Sequence, residues 1–288
     1  KELSADIVVV GAGAAGMATA VSAAQNGAQN VLVLESMSTI GGNAVVSGGF
    51  LEYMDAPKAM LPQDNCGYDA AVENLLAQDF SDNELVKSWQ DTVREQYAAY
   101  KASGASYVFD SNELLALQYH VLQLGRPDDS LIGYAEKSHE VCEWFTSLGV
   151  EWTNCVEIIG FPWPRWAQVV GTPGGTGYFN ALTQTISTQN LPVSILTETR
   201  ASDLIEQDGK VVGVIAQNMD GTTYRISADK VVLATGGFGA NKEMLKQYNT
   251  QWDNIENMLS DNRSGNQGDG IVMAQAVGAG VALMDQYM

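Results

Sequence analysis

Three glycines and one carboxylate carry the first chemical signal in this sequence. Gly11, Gly13 and Gly16 stand in Gly11-Ala-Gly-Ala-Ala-Gly16, and Glu35 follows 35 − 16 = 19 residues later. A G-x-G-x-x-G run lets bare backbone approach a pyrophosphate, and an acidic group about twenty residues on can accept hydrogen bonds from a ribose diol. A 2′-phosphate at Glu35 would instead meet a like charge. The flanking elements suit that chemistry. Asp6-Ile-Val-Val-Val10 reads as a short buried strand, Met17–Asn26 as an Ala-rich helix closed by Gly27, and Val31-Leu-Val-Leu34 as a second buried strand. The helix start then offers unpaired N–H groups and a positive dipole end to the pyrophosphate. A lone glycine motif is weak, but strand, helix, strand and carboxylate in register make a dinucleotide site.

Other residues could add to it. Gly41 to Gly49 holds four glycines in nine residues and no charge, a backbone able to lie against something flat or to place N–H groups on it; the plainer reading is a glycine-rich loop. Glu151–Thr176 reads as an irregular stretch rich in Trp, Pro and Gly, and it contains Arg165 between Trp163 and Trp166. That arginine could recognise an anion or stack on the rings, and stacking is the better reading. Gly265-Asn-Gln-Gly-Asp-Gly270, within Ser264–Gly270 and ahead of a helix at Ile271–Val277, is another candidate phosphate or ribitol contact. Cys66, Cys142 and Cys155 show no C-x-x-C spacing and no metal pattern with His120 or His139, so each reads as a small buried hydrophobe.

The elements that must position these groups divide the chain in three. Residues 1–65 hold the βαβ unit and the Gly41–Gly49 loop. Residues 66–150 read as a helical insertion with helices over Tyr68–Asp79, Asn83–Ala102, Ser111–Leu124 and Asp129–Leu148, the third stopped by Gly125-Arg-Pro127. Trp89, Tyr97, Tyr100, Trp144 and Phe145 fall at helical spacing and read as core rather than as a cofactor box. Residues 151–288 add a helix at Tyr178–Gln189 and β-rich runs at Val193–Glu198, Arg200–Gln207, Val211–Gln217 and Thr222–Ser227. A buried strand then enters Ala234-Thr-Gly-Gly237. The formal net charge of −19 repels polyphosphate and argues against nucleic acid. The uncharged run Ile7–Gln25 is broken by loop glycines, so it reads as no membrane span and the chain as soluble, its compartment open.

Taken together, the glycine segments resemble the flavoprotein subunits of the fumarate reductase/succinate dehydrogenase family. The chain is most similar there to soluble flavocytochrome-c-type fumarate reductases and urocanate reductases. The resemblance rests on G-x-G-x-x-G…Glu35, Gly41-Gly-Asn-Ala-Val-Val-Ser-Gly-Gly49, Trp144-Phe-Thr-Ser-Leu-Gly149, Thr172-Pro-Gly-Gly-Thr-Gly177, Ala234-Thr-Gly-Gly-Phe238 and Gly268-Asp-Gly270. It implies an α/β, Rossmann-like FAD-binding domain, a parallel sheet plus β-meander with a helical insertion. The cofactor is FAD, held by Gly11, Ala12, Gly13, Ala14, Ala15, Gly16, Glu35 and Ser36. Gly41, Gly42, Asn43, Ala44, Ser47, Gly48 and Gly49 would line the ribityl chain and flavin. Ala201, Ala234, Thr235, Gly236 and Asp269 complete the set.

The implied activity is reduction of an activated C=C bond in a small organic acid, with an external electron donor such as a fused FMN or haem domain. Alternatives are a dehydrogenase or oxidase on the same scaffold (of 3-ketosteroid dehydrogenase or aspartate oxidase type) and a non-catalytic electron-transfer module. Two departures shape these expectations. The 41–49 loop has no histidine, so the FAD is expected to be non-covalent. Val170-Gly-Thr-Pro173 stands where relatives carry basic residues, which puts fumarate itself in question. The resemblance places a capping domain beyond Met288, so the chain is expected to be the first FAD-domain segment of a longer polypeptide. The catalytic residues are then expected outside it, with Arg165 the weak candidate within.

Overall fold

The computed structural model describes residues 1–64, 67–122 and 128–285. The first half contains β1 (Glu2–Val10), α1 (Ala14–Gln25), β2 (Val31–Leu34), α2 (Gly42–Val46), β3 (Leu51–Glu52), α3 (Tyr68–Leu76), α4 (Glu84–Ser103), α5 (Asn112–Val121) and α6 (Leu131–Ser147). Then come β4 (Val156–Ile158), β5 (Phe161–Ala167), α7 (Thr176–Thr188), β6 (Val193–Leu196), β7 (Thr199–Gln207), β8 (Lys210–Asn218), β9 (Thr223–Leu233), α8 (Lys242–Tyr248) and α9 (Asp269–Ala276). These elements form two compact units, Lys1–Gly49 with Thr172–Met288, and Phe50–Gly171.

The first unit is built on a six-stranded sheet of order β6-β2-β1-β9-β8-β7. β6, β2, β1 and β9 run parallel, and β7, β8 and β9 form the antiparallel part. Val8, Val10, Leu32, Leu34, Val214, Ile226 and Met273 form its core on one side. Two strand expectations change here. Val193–Leu196 does not join the meander but pairs in parallel with β2. The runs at Thr222–Ser227 and Lys230–Leu233 are one strand, β9, which pairs with β8 through Thr223–Ser227 and with β1 through Arg225–Leu233. The ladder to β1 carries the chain straight through Ala228-Asp-Lys230, between the two runs.

The second unit packs α3–α6 around Trp89, Val93, Tyr97, Leu114, Leu115, Leu117 and Trp163. The expected caps are made: Asn83 accepts from Val86 N (3.2 Å) and Ser111 Oγ from Leu114 N (3.1 Å). The Gly125-Arg-Pro127 stop and Leu124 lie outside the described residues, as does Cys66. This unit takes in more than the 66–150 helical stretch, because Glu151–Thr176 is not irregular throughout. β5 is the middle strand of a three-stranded sheet, β3-β5-β4, despite Pro162 and Pro164. Its ladder pairs use Phe161, Trp166 and Ala167, so neither proline is asked for a backbone donor there. Cys142 and Cys155 are buried in one apolar cluster; burial drives both thiols up, that of Cys155 to about 12, which leaves them inert as expected.

Candidate functional site

A cavity of about 590 Å³ opens at the carboxyl ends of β1, β2 and β9 in the first unit, within the size range of small-molecule and cofactor clefts. Gly11, Gly13, Ala14 and Ala15 line it from the first turn, Glu35 and Ser36 from the end of β2, and Gly42, Asn43 and Ala44 from α2. Ala201, Ala234, Thr235, Gly236 and Asp269 complete the wall. Six sequence segments far apart in the chain are thereby brought to one place.

The first glycine run is shaped by close approach. Gly11 has φ +103° and a Cβ there would lie 2.4 Å from Ala234 O, so β9 can close on the turn only over a glycine. A Cβ at Gly16 would lie 1.8 Å from Gly11 O; this residue serves packing and does not line the cavity. Gly13 meets nothing within 4 Å. It precedes α1, whose first turn carries no side-chain cap and no acidic residue. The N–H groups at that end are free for an anion.

Glu35 is buried, and its carboxylate ties the site together: Oε2 accepts from Ala12 N (2.9 Å) and Oε1 from Met37 N (2.8 Å). Ala12 acts through that bond and through its carbonyl, which accepts from Gly41 N (2.9 Å). Asn43 is a brace: its Oδ1 accepts from Arg263 N (2.8 Å) and its Nδ2 donates to Asn262 Oδ1 (2.5 Å). Asp269 pairs with Arg200 at 2.7 Å.

The loop Gly41–Gly49 packs in part against the chain itself. Gly42–Val46 is a short helix, and Gly41 and Gly49 on either side of it are buried. A Cβ at Gly49 would lie 2.0 Å from Gly174 O, and one at Gly175 2.0 Å from Ala44 O. The two glycine-rich segments therefore lie against each other, backbone to backbone, and Tyr178 Oη donates to Gly49 O (2.9 Å). Ser47, Gly48 and Gly49 are not among the residues lining the cavity; Ser47 Oγ is held by Ala44 O (2.8 Å).

Several lining residues escaped the sequence reading: Met37, Thr199, Arg200, Arg263 and Gln275. They belong to no motif: Met37 follows β2, Thr199 and Arg200 open β7, Arg263 lies in the loop before α9 and Gln275 in α9 itself. Asn266 Oδ1 accepts from Gly239 N (2.7 Å) and so fixes the glycine turn after β9.

Arg165, in the second unit, is not on an open face. Its side chain is 2% exposed, with Nε and Nη2 donating to Asp110 (2.9 and 2.6 Å) and Nη1 to Gln118 Oε1 (2.7 Å). Its guanidinium also lies 5.7 Å from the Trp163 ring centroid, which is the stacking reading. Among the described residues no cluster of His, Cys, Asp and Glu could hold a metal ion, and no helix is long and apolar enough to cross a membrane.

Known proteins agree with this architecture. The chain is 33% identical to an NADH:acrylate oxidoreductase of Vibrio harveyi over 96% of its own length, and 30% identical to a urocanate reductase of Eggerthella lenta over 98%. It spans 29% and 39% of the length of those two proteins. A 3-ketosteroid-Δ4-(5α)-dehydrogenase from Rhodococcus jostii RHA1, solved with 4-androstene-3,17-dione, superposes with a TM-score of 0.68 at 25% identity. That match covers 98% of this chain and 56% of that one. The open form of a flavocytochrome c3 fumarate reductase shares the fold, at a TM-score of 0.62 and 24% identity, covering 96% of this chain and 41% of that one. The profile of the FAD binding domain family matches residues 6–288, almost the whole sequence, and the chain belongs to that family.

Proposed function

We propose that this segment holds FAD non-covalently in the glycine-lined cavity, and that the whole protein reduces an activated C=C bond of a small organic acid. The observation that carries the reading is the cavity itself, where uncapped amides at the start of α1 and a buried carboxylate at the end of β2 line one space. FAD bound there would supply two-electron, hydride-transferring chemistry. The amides of the first turn would take its pyrophosphate, with Gly13 leaving the room. A carboxylate has about four acceptor positions, and Glu35 uses one each for Ala12 N, Met37 N and Ser36 Oγ. It keeps capacity for a ribose hydroxyl. Arg263 lines the cavity and its side chain bonds no other described residue, which suits it to the phosphates.

The histidines support non-covalent attachment. The 41–49 loop has none, and both imidazoles of the chain have other partners: His120 Nδ1 sits 2.9 Å from Asp128 Oδ1 and His139 Nδ1 2.9 Å from Met54 O. The organic-acid substrate is supported by the relatives named for acrylate and urocanate. The titratable side chains on the cavity wall are Glu35, Arg200, Arg263 and Asp269. Three of them are already engaged, so we assign this segment cofactor binding and no catalytic acid. A second reading, dehydrogenation of a ring ketone, is favoured by the 3-ketosteroid dehydrogenase likeness.

The test uses the intact yellow protein with reduced methyl viologen as donor. Oxidation of the viologen on adding acrylate, urocanate or fumarate supports reduction; flavin bleaching by a 3-ketosteroid, with no enoate turnover, supports the second reading. Acid precipitation separates the attachment modes, since non-covalent FAD stays in the supernatant.

A further inference from the structure

The cavity of the first unit carries one ion pair to which the cofactor reading gives no task. Arg200, at the start of β7, donates from Nη2 to Oδ1 of Asp269, at the start of α9 (2.7 Å), and both residues line the wall. Backbone bonds fasten this end of β7 to the end of β2: Thr199 N donates to Glu35 O (2.8 Å) and Glu198 N to Met37 O (2.9 Å). Arg200 is the residue after Thr199, about 3.8 Å further along the Cα trace. Its side chain is 52% exposed and makes no other hydrogen bond or ring contact with a described residue. The guanidinium is therefore held at one edge by a carboxylate, with no protein ring on its flat faces.

Charge separates the two arginines of the wall. Arg263 has no carboxylate on it and suits a phosphate. Arg200 is neutralised by Asp269, and a phosphate drawn to it would meet that carboxylate as well. A neutral flat ring meets no such repulsion, and a guanidinium plane stacks on nucleobases. The proposed cofactor supplies one such ring. Adenine is bonded to the ribose that Glu35 would hold, so it lies within one sugar ring of the residues fastened to Glu35.

We infer that Arg200 is the base-recognising residue of this site: Asp269 holds its guanidinium, and the free plane stacks on the adenine. The inference rests on the reading of the cavity as an FAD site. AMP and ribose 5-phosphate carry the same sugar and phosphate and differ only in the base, so their competition with FAD for the full chain isolates the base contact. The parent protein should prefer AMP. Arg200→Ala should cut that preference about fivefold to thirtyfold, the range of an exposed to a desolvated cation–π contact, and leave ribose 5-phosphate within twofold. Arg200→Lys keeps the charge opposite Asp269 but not the plane, and its preference for AMP should stay below that of the parent. An equal loss for both ligands, or full recovery by lysine, would make Arg200 a phosphate contact and overturn the inference. An unchanged preference in Arg200→Ala would overturn it too, leaving the ion pair as a brace between β7 and α9. These outcomes are read on protein that binds FAD; a parent protein that binds none would instead sink the flavin reading and this inference with it.

Discussion

In the unit formed by Lys1–Gly49 and Thr172–Met288, much of the cavity wall is glycine and alanine, and the backbone around it closes up because Gly11, Gly16, Gly49 and Gly175 carry no Cβ. In Phe50–Gly171 the polar chemistry is made by long side chains: Glu52 with two tyrosines, and Arg165 with Asp110 and Gln118. The contrast teaches where each unit is fragile. A backbone site is broken by adding a methyl group, whereas a buried side-chain network is broken by removing one partner. Substitutions of each kind should therefore act on different properties.

The largest effect is expected from Arg165→Met. It leaves Asp110, whose side chain is 10% exposed, without its partner, and breaking one side of a buried ion pair costs about 3–5 kcal/mol. Urea unfolding should show that loss while FAD affinity, measured where the variant is folded, stays within about twofold of the original, far below the tenfold that 1.4 kcal/mol would produce. A parallel collapse of FAD binding would break the comparison. Gly16→Ala tests the opposite side. Its Cβ would sit 1.8 Å from Gly11 O, and overpacking of this kind costs roughly 3 kcal/mol. Flavin fluorescence titration should find affinity down a hundredfold or more.

Glu35→Ala removes the acceptor for Ala12 N and Met37 N as well as the proposed ribose contact. Hydrogen bonds to a charged group contribute about 1.5–3 kcal/mol, so FAD should bind roughly tenfold to a hundredfold more weakly at 1.4 kcal/mol per decade. An unchanged dissociation constant would place the ribose elsewhere.

Glu52 gives a smaller, pH-dependent effect. Burial raises its carboxyl above the ordinary 4.5, partly opposed by Arg165 and by the hydroxyls of Tyr119 and Tyr134, with Asp110 adding to the rise. The folded protein then holds this proton more tightly than the unfolded chain does. The residue favours folding most at acid pH, and that contribution is lost as pH rises through the raised value. Glu52→Gln should thus gain stability relative to the parent between pH 4.5 and neutrality, read by urea unfolding at both ends. A constant difference would mean that the carboxyl is not shifted. The smallest effect belongs to Gly133, inside α6 with nothing within 4 Å of a Cβ. Gly133→Ala should stabilise the protein by about 0.5–1 kcal/mol. A loss there would show that the helical unit, too, has a glycine needed for close approach.

Local signals carried the sequence a long way. The strand–turn–helix at Asp6–Gln25, the Asn83 and Ser111 caps and the spacing to Glu35 are short-range patterns, and each is present in the structure. They are legible because backbone geometry, glycine freedom and helix capping act over a few residues. By contrast, Arg263 and Thr199 come to the cavity only through long-range register, and no spacing rule marks them.

What the sequence determined by itself, then, is the set of elements and the identity of the groove they build: a βαβ unit ending in Glu35, glycine motifs at fixed points, and a helical stretch rich in aromatics. Only the tertiary structure decided what several of those glycines face. Gly49 and Gly174 meet each other, β9 joins the meander to the parallel sheet, and Arg165 closes on Asp110. The physical reason is common to all three. Glycine permits a close approach, a β-rich run permits a pairing and an arginine permits an ion pair, but the partner is chosen by packing across large sequence separations, which composition and periodicity do not encode.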